Sequence, residues 1–213
     1  SPHLHSYRER FKINGVQAEK TEIAAALSQV IAACEQMKSA GFEAPTEFEV
    51  NTAMALLLFA QHRPEWVILE VGMGGDIDST NVIDGEIAVI TEVALEHTAY
   101  LGDTVEKIAA CKAGIIKRGA RVFTGASGSA LSIIRSKAEQ KQAVLCQIGK
   151  ELNYKLSQDR GEEGQILTVS IEDKTYANLF IPLLGRHQLA NAALAVAAAD
   201  AAGLSEQAIR TGL

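Results

Sequence analysis

The sequence predicts an α/β fold, a mostly parallel sheet flanked by helices with a small antiparallel β meander. Short, continuous apolar runs alternate with stretches of helical periodicity, the signature of βαβ units. Those runs carry apolar residues on both faces, as strands covered on two sides do. After Gly149 the texture changes to period-two alternation with turn residues between the segments.

In chain order, "TEIAAALSQVIAACEQMKSAG" reads as a helix with Thr21 as N-cap and Gly41 as its stop signal. "EFEVNTAMALLLFAQHRPE" is a second helix, ended before Pro64, and "WVILEVG" reads as a buried strand. "EIAVIT" is a strand, and "DTVEKIAACKAGIIK" a helix opened by Asp103 or Thr104. "ARVFTG" is a strand, "SGSALSIIRSKAEQK" a helix and "AVLCQIG" a strand. The segment from Asn153 to Gly185 reads as a meander with turns at Arg160 to Gly164 and Glu172 to Lys174. "HQLANAALAVAAADAAG" and "SEQAIRTGL" return to helix. The expected organisation is an α/β domain over residues 1–149, a small β subdomain over 150–184 and closing helices over 185–213.

Composition narrows the function. With 213 residues, 47% hydrophobic and 22% charged, the chain is an ordinary globular protein with room for one sizeable core. A net charge of −6 and the lack of a Lys/Arg cluster exclude nucleic acid as the expected partner. Cys34, Cys111 and Cys146 are isolated and odd in number, the pattern of reduced thiols in a cytoplasmic protein. The apolar tracts are short and broken by Asp200, so no membrane span is expected. The chain opens at Ser1 without a methionine and stops in mid-pattern at Leu213, and is expected to be part of something longer.

Three residues pose a chemical question. Glu70 in "LEVGMGG" follows an apolar run, at the edge of an open α/β sheet where ligands bind; a carboxylate there suits magnesium, and equally a salt-bridged or capping acid. Gly72, Gly74 and Gly75 are spaced G-x-G-G and are followed by "DIDSTN" where a helix should open, which excludes a dinucleotide fingerprint. His97 follows the strand "IAVIT" and an acidic neighbour, and a lone histidine is more often structural than a ligand. Lys112 in "AACKAGIIKRG" sits on the side of its helix expected to face inward, where an ammonium is costly unless paired or chemically changed. Successive βα units can bring Glu70, His97 and Lys112 to the carboxyl edge of one parallel sheet. An ammonium has only donors and cannot bind a metal, whereas a lysine carboxylated by carbon dioxide can. A lysine snorkelling from a helix end is the plain alternative.

"SPHLHSYRERFKING", "TEFEVNTAMALLLF", "LEVGMGGDIDSTNVI", "LEHTAYLGDTVEKIAACKAGIIKRG" and "LLGRHQLANAALAVAA" together resemble the folylpolyglutamate synthase and dihydrofolate synthase branch of the Mur ligase superfamily. The resemblance runs over nearly the whole chain, with five motifs in order. It implies a P-loop NTPase-like central domain, here without the first strand and the phosphate loop G-x-x-G-K-[ST], which occurs nowhere in the sequence. By position it implies that Lys112 is the carboxylated lysine and that it holds one of two magnesium ions with His97 and Glu70. It also places Ser1 at the other magnesium and Asn191 at the nucleotide. Thr46, Glu47, Phe48 and Glu49, with Ile77, Asp78 and Ser79, match segments lining the pterin site. Asp76, Glu96 and Cys111 stand where the family commonly has arginine, aspartate and glutamate, which bears on substrate choice.

The implied reaction is ATP-dependent: a folate or dihydropteroate carboxylate becomes an acyl phosphate that the amine of L-glutamate attacks, in a cytoplasmic, monomeric enzyme. Two rival readings stay open: another Mur-type amide ligase acting on a peptidoglycan precursor, and a non-catalytic nucleotide-binding scaffold. Dihydrofolate synthesis, polyglutamate extension, or both remain equally open at this point.

Overall fold

The computed structural model describes residues 3–213, which leaves the expected metal ligand Ser1 outside the described residues. The chain divides into two compact units, Ser1–Gly72 and Met73–Leu213.

The first unit is built on two helices, α1 (Lys20–Ser39) and α2 (Glu47–His62). A small hairpin precedes them, β1 (Lys12–Ile13) and β2 (Val16–Gln17). It turns through Asn14 and Gly15, both at positive φ, the conformation a tight two-residue hairpin requires. The core is Phe11, Ala18, Ala26, Val30, Met54 and Leu58. Helix α1 begins ahead of Thr21 because Glu22 accepts the N–H of Glu19 at 2.9 Å, so Glu19 and not Thr21 is the N-cap. Helix α2 ends at Arg63, which takes the left-handed conformation of a helix C-cap at φ 48 and donates its N–H to the Phe59 carbonyl at 2.8 Å.

The expected strand "WVILEVG" is not formed. Residues 66–71 join no ladder, and Ile68 is 94% exposed. Apolar content alone does not make a strand, because its N–H and C=O groups need a neighbouring strand to pair with. Among the described residues no strand pairs with this run.

The second unit holds the parallel sheet, β3 (Ile87–Ile90), β4 (Arg121–Thr124) and β5 (Val144–Gln147), in the order β3-β4-β5. Ile87 lies opposite Arg121, and Arg121 opposite Val144. The short helix α3 (Thr98–Leu101) and then α4 (Val105–Ala113) connect β3 to β4, and α5 (Gly128–Gln140) connects β4 to β5. Thr104 caps α4 by accepting the N–H of Lys107 at 3.3 Å. One face of the sheet, through Ala88, Ile90 and Val122, packs on Ala109, Ala113, Ile134 and Ala138 of the two crossover helices. The opposite face, through Phe123 and Cys146, joins a second core with the meander and α6 (Arg186–Ala201).

The meander is its own antiparallel sheet, β6 (Leu152–Asp159), β7 (Gln165–Ile171) and β8 (Lys174–Ile181), with β7 in the middle. The strict alternation of β7 buries Leu167, Val169 and Ile171. They join one core with Ala192, Ala193, Val196 and Ala197 of α6, small residues whose size permits close approach. A polar clamp holds the far end: Tyr176 Oη and Lys174 Nζ both donate to Asp200 Oδ1 at 2.7 Å. The last helix, α7 (Glu206–Gly212), is tied to β8 by Arg210, which donates to the carbonyls of Ala177 and Asn178 at 2.7 and 3.2 Å.

Residues 73–81 are fastened to the end of α4. The N–H of Asp76 donates to Cys111 C=O at 3.0 Å, and Asn81 Nδ2 donates to Gly114 C=O at 3.3 Å, satisfying carbonyls that a helix end leaves without partners. Two glycines allow the approach. A Cβ on Gly114 would sit 2.3 Å from that of Asp76, and one on Gly75 would sit 2.7 Å from the Cys111 carbonyl oxygen.

Gly114→Ala is therefore expected to lower stability by about 1–3 kcal/mol in urea unfolding, the cost of forcing extra volume into a packed contact. Gly85→Ala, whose added Cβ meets only the Ile87 carbonyl at 3.8 Å, should stay within about 0.5 kcal/mol of the parent. A second expectation concerns the clamp. Burial first, and then the Asp200 carboxylate, push the Tyr176 phenol up to about 12 from 10.0. The folded protein keeps this proton where the unfolded chain loses it, so the contribution is complete below pH 10 and is lost as the pH rises through about 12. Urea midpoints measured across that interval should fall more steeply for the parent than for Tyr176→Phe.

Candidate functional site

The strand β3 ends at Ile90, and the chain then runs without regular structure to His97. His97 adopts the left-handed conformation, φ 46 and ψ 38, which is uncommon outside glycine and marks a tight reversal. Its carbonyl accepts the N–H groups of Tyr100 and Leu101 at 2.9 and 3.0 Å, and the buried Leu101 anchors the turn. The imidazole is left exposed, with no capping bond to the helix it starts.

The neighbouring Glu96 supplies the partner of Lys112. Glu96 Oε1 lies 2.6 Å from Lys112 Nζ, with side-chain exposures of 46% and 24%. The ammonium in the last turn of α4 is thus half-buried and paired with a carboxylate, one of the two ways in which such a charge can be accommodated. At this exposure an ion pair contributes only about 0–1 kcal/mol, so stability alone does not account for its presence. The pair sets a carboxylate, an imidazole-bearing turn and a primary amine on one side of the βα connection. The sequence offered one signal for it, the acidic residue directly before His97. Nothing in the local pattern of α4 shows which acid a lysine one connection away will meet.

Glu70 belongs to the first unit, where it is exposed, while His97 and Lys112 belong to the second. Among the described residues no three His, Cys, Asp or Glu side chains group as a metal site. Lysine stands outside that set, since an ammonium has no lone pair to offer.

The expected pterin-site segments are ordered by bonds within themselves. Thr46 caps α2: its hydroxyl accepts the N–H of Glu49 at 3.3 Å while Glu49 Oε2 accepts the N–H of Thr46 at 2.6 Å. The Thr46 N–H and hydroxyl hold the Glu49 carboxyl below its ordinary range. Glu47 lies 3.4 Å from Arg10 and Phe48 is half-buried. In the second unit Asp78 is buried and accepts from Met73 N–H at 3.0 Å, Thr80 N–H at 2.9 Å and the Thr80 hydroxyl at 2.5 Å. Such a carboxylate fixes the loop on which it sits. Ile77 beside it is 87% exposed, and Ser79 opens a 3-10 turn. Asn191 projects from α6, where its amide donates to Gln188 Oε1 at 3.1 Å and the residue remains exposed.

Beyond the expected residues, the structure brings forward Glu96, which pairs with Lys112, and the Asp76–Gly114 contact, which fixes the helix end on which Lys112 stands.

Comparison with known proteins follows the same lines. The family model of the Mur ligase middle domain matches residues 17–199. The chain is 35% identical over 221 aligned residues to the dihydrofolate synthase/folylpolyglutamate synthase of Bacillus subtilis, covering 100% of this chain and 51% of that protein. It is 37% identical to the corresponding protein of Escherichia coli, covering 100% of this chain and 47% of that one. The apo form of L. casei folylpolyglutamate synthase superposes with a TM-score of 0.93 at 35% identity, over 100% of this chain and 54% of that chain. An E. coli FolC structure in complex with DHPP and ADP superposes with a TM-score of 0.85 at 36% identity, over 100% of this chain and 48% of that one. The chain thus spans about half the length of these relatives. By fold and by the match of the family model over most of its length, the chain belongs to the Mur ligase middle-domain family.

Proposed function

We propose that the protein of which this chain forms part is an ATP-dependent carboxylate–amine ligase that joins L-glutamate to a folate or to dihydropteroate. The observation that carries the reading is likeness over 100% of the chain to folylpolyglutamate synthases, among them one solved as an AMPPCP–folate complex at a TM-score of 0.93. A terminal substrate carboxylate attacks the γ-phosphorus of ATP, ADP departs and an acyl phosphate forms. The glutamate amine then attacks the acyl carbon, phosphate leaves with the bonding pair and the amine's proton passes to solvent.

Magnesium, when bound, neutralises the crowded phosphate oxygens and aligns the transfer. Two sites belong to the proposal, one served by Ser1 and one by Glu70, His97 and Lys112. As an ammonium Lys112 does not fit such a site; as a carbamate it supplies two hard oxygen donors, which suit magnesium. Its Nζ reaches Glu96, the residue directly before His97 in the chain. Asn191 is assigned to the nucleotide, and Thr46–Glu49 with Ile77–Ser79 to the pterin. Residues 1–149 form the nucleotide-handling α/β part, 150–184 the meander and 185–213 the closing helices. The proposal includes a cytoplasmic monomer; among the described residues no helix is long and apolar enough to cross a membrane.

Glutamate-dependent ADP release by the full-length protein, measured with dihydropteroate, tetrahydrofolate and a muramyl precursor, tests the substrate class; turnover of the muramyl compound alone would replace the folate reading. Lys112→Ala in that protein is expected to lower kcat by about 100-fold or more, with partial recovery on adding acetate or another short carboxylic acid. Full activity of the alanine variant would remove Lys112 from the site.

The 213-residue chain by itself is expected neither to catalyse ligation nor to bind ATP tightly. Its sequence has no G-x-x-G-K-[ST] loop to cradle the phosphates, and each charge-assisted hydrogen bond lost is worth about 1.5–3 kcal/mol. Calorimetry with ATP and magnesium checks this: micromolar binding, or glutamate-dependent phosphate release, would place the nucleotide site elsewhere.

A further inference from the structure

We propose that Gln165, in the meander, is a positioning residue for nucleotide binding: it holds the start of α6 so that Asn191 meets ATP in a fixed place. The inference rests on the assignment of Asn191 to the nucleotide given above and adds a residue from another element to it. Gln165 is a buried polar side chain, 4% exposed, at the first position of the central strand β7, opposite Asp159 on one neighbouring strand and Ile181 on the other. Its amide Nε2 donates to the carbonyls of Leu183 at 2.8 Å and Gly185 at 3.2 Å. These bonds fall where α6 has little support of its own. The N-cap is Gly185, at φ 99, and no side chain caps the helix there. A serine or aspartate in that place would bond the N–H groups of the first turn; a glycine bonds none, so the turn depends on what holds its carbonyls.

The Gly185 carbonyl is the junction. It accepts from Gln165 Nε2 and also from the Gln188 N–H at 3.1 Å, and Gln188 Oε1 in turn accepts from Asn191 Nδ2 at 3.1 Å. Successive bonds thus run from the middle strand of the meander to the amide of Asn191, which keeps Oδ1 to accept from a donor on the nucleotide. Asn191 is exposed, and a contact three residues along an exposed helix face holds a side chain only weakly. The buried end supplies the constraint. A primary amide that bonds two backbone carbonyls through its N–H groups fixes both, whereas a side chain of similar size without those groups lets them move. A loosened first turn spreads Asn191 over several positions, and affinity falls with the fraction in the competent one. A role in stability alone would lower the melting temperature and leave the Kd for ATP as it was.

The test is a double-mutant cycle read as the Kd of ATP with magnesium, measured by calorimetry on the full-length protein without acceptor substrate. Gln165→Met, close in size and without N–H groups, is expected to weaken ATP binding about fivefold or more, and Asn191→Ala at least as much. In the Asn191→Ala background, Gln165→Met should change Kd by less than about twofold, because its effect passes through Asn191. Gln188→Ala, on the helix surface, should weaken ATP binding about twofold, and Gln188→Glu, which keeps the acceptor, should restore it. An equal loss from Gln165→Met in both backgrounds, or none in the parent, overturns the role of Gln165 and leaves Asn191 at the nucleotide. If circular dichroism shows that Gln165→Met does not fold, the surface variants decide: a Gln188→Ala protein that binds ATP as the parent does overturns the relay. An unchanged Kd in Asn191→Ala alone overturns the assignment of Asn191 and this inference with it.

Discussion

The end of helix α4 is the point on which the candidate site depends. A helix of nine residues terminates there with carbonyls in need of donors, and the segment 73–81 supplies them through Asp76 N–H and Asn81 Nδ2. The contact is possible only because positions 75 and 114 carry no side chain. Four further bonds and contacts hang on it: Asp78 ties the same segment to Met73 and Thr80, and Lys117 in the chain just beyond α4 donates to the carbonyl of Asn81 at 2.7 Å. A small displacement at Gly114 is thus felt at both the loop and the lysine, since a packed interior transmits strain and does not absorb it.

Much of this was legible in the sequence, and the reasons differ by element. The strands β3, β4 and β5 are short apolar runs, and each finds a parallel neighbour that satisfies its backbone. The meander was written in the alternation of "QILTVSI", whose odd-numbered members are the buried ones. Thr104 announces its helix because a hydroxyl followed three residues later by a free N–H is a local arrangement, and Thr46 opens α2 in the same way, although the helix expected there from the sequence has no assigned cap. "WVILEVG" has the composition of a strand and does not become one, because pairing is a property of two segments and composition of one.

The site follows the same division. His97 and Lys112 could be picked out by residue type and by their place after a strand or within a helix. That Lys112 meets Glu96 depends on a side chain reaching across the connection, and no periodicity records it. Asp78 gives the converse lesson. Assigned by resemblance to a binding segment, it is buried and bonds the backbone of its own loop, so its carboxylate has a structural task that residue type alone does not reveal.

Two of the positions at which the sequence departs from the expected pattern, Asp76 and Cys111, lie together in the structure. Where the resemblance sets arginine and glutamate, this chain has Asp76 and Cys111, and the structure places them in contact: the Asp76 N–H bonds the Cys111 carbonyl. Burial first, and then the negative charge of Asp76, push the Cys111 thiol above its ordinary range. The small, neutral thiol turns toward the Leu101 carbonyl at 3.9 Å, away from that charge. A neutral residue at position 111 adds no second carboxylate beside Asp76, and the acid that Lys112 meets is Glu96, across the connection.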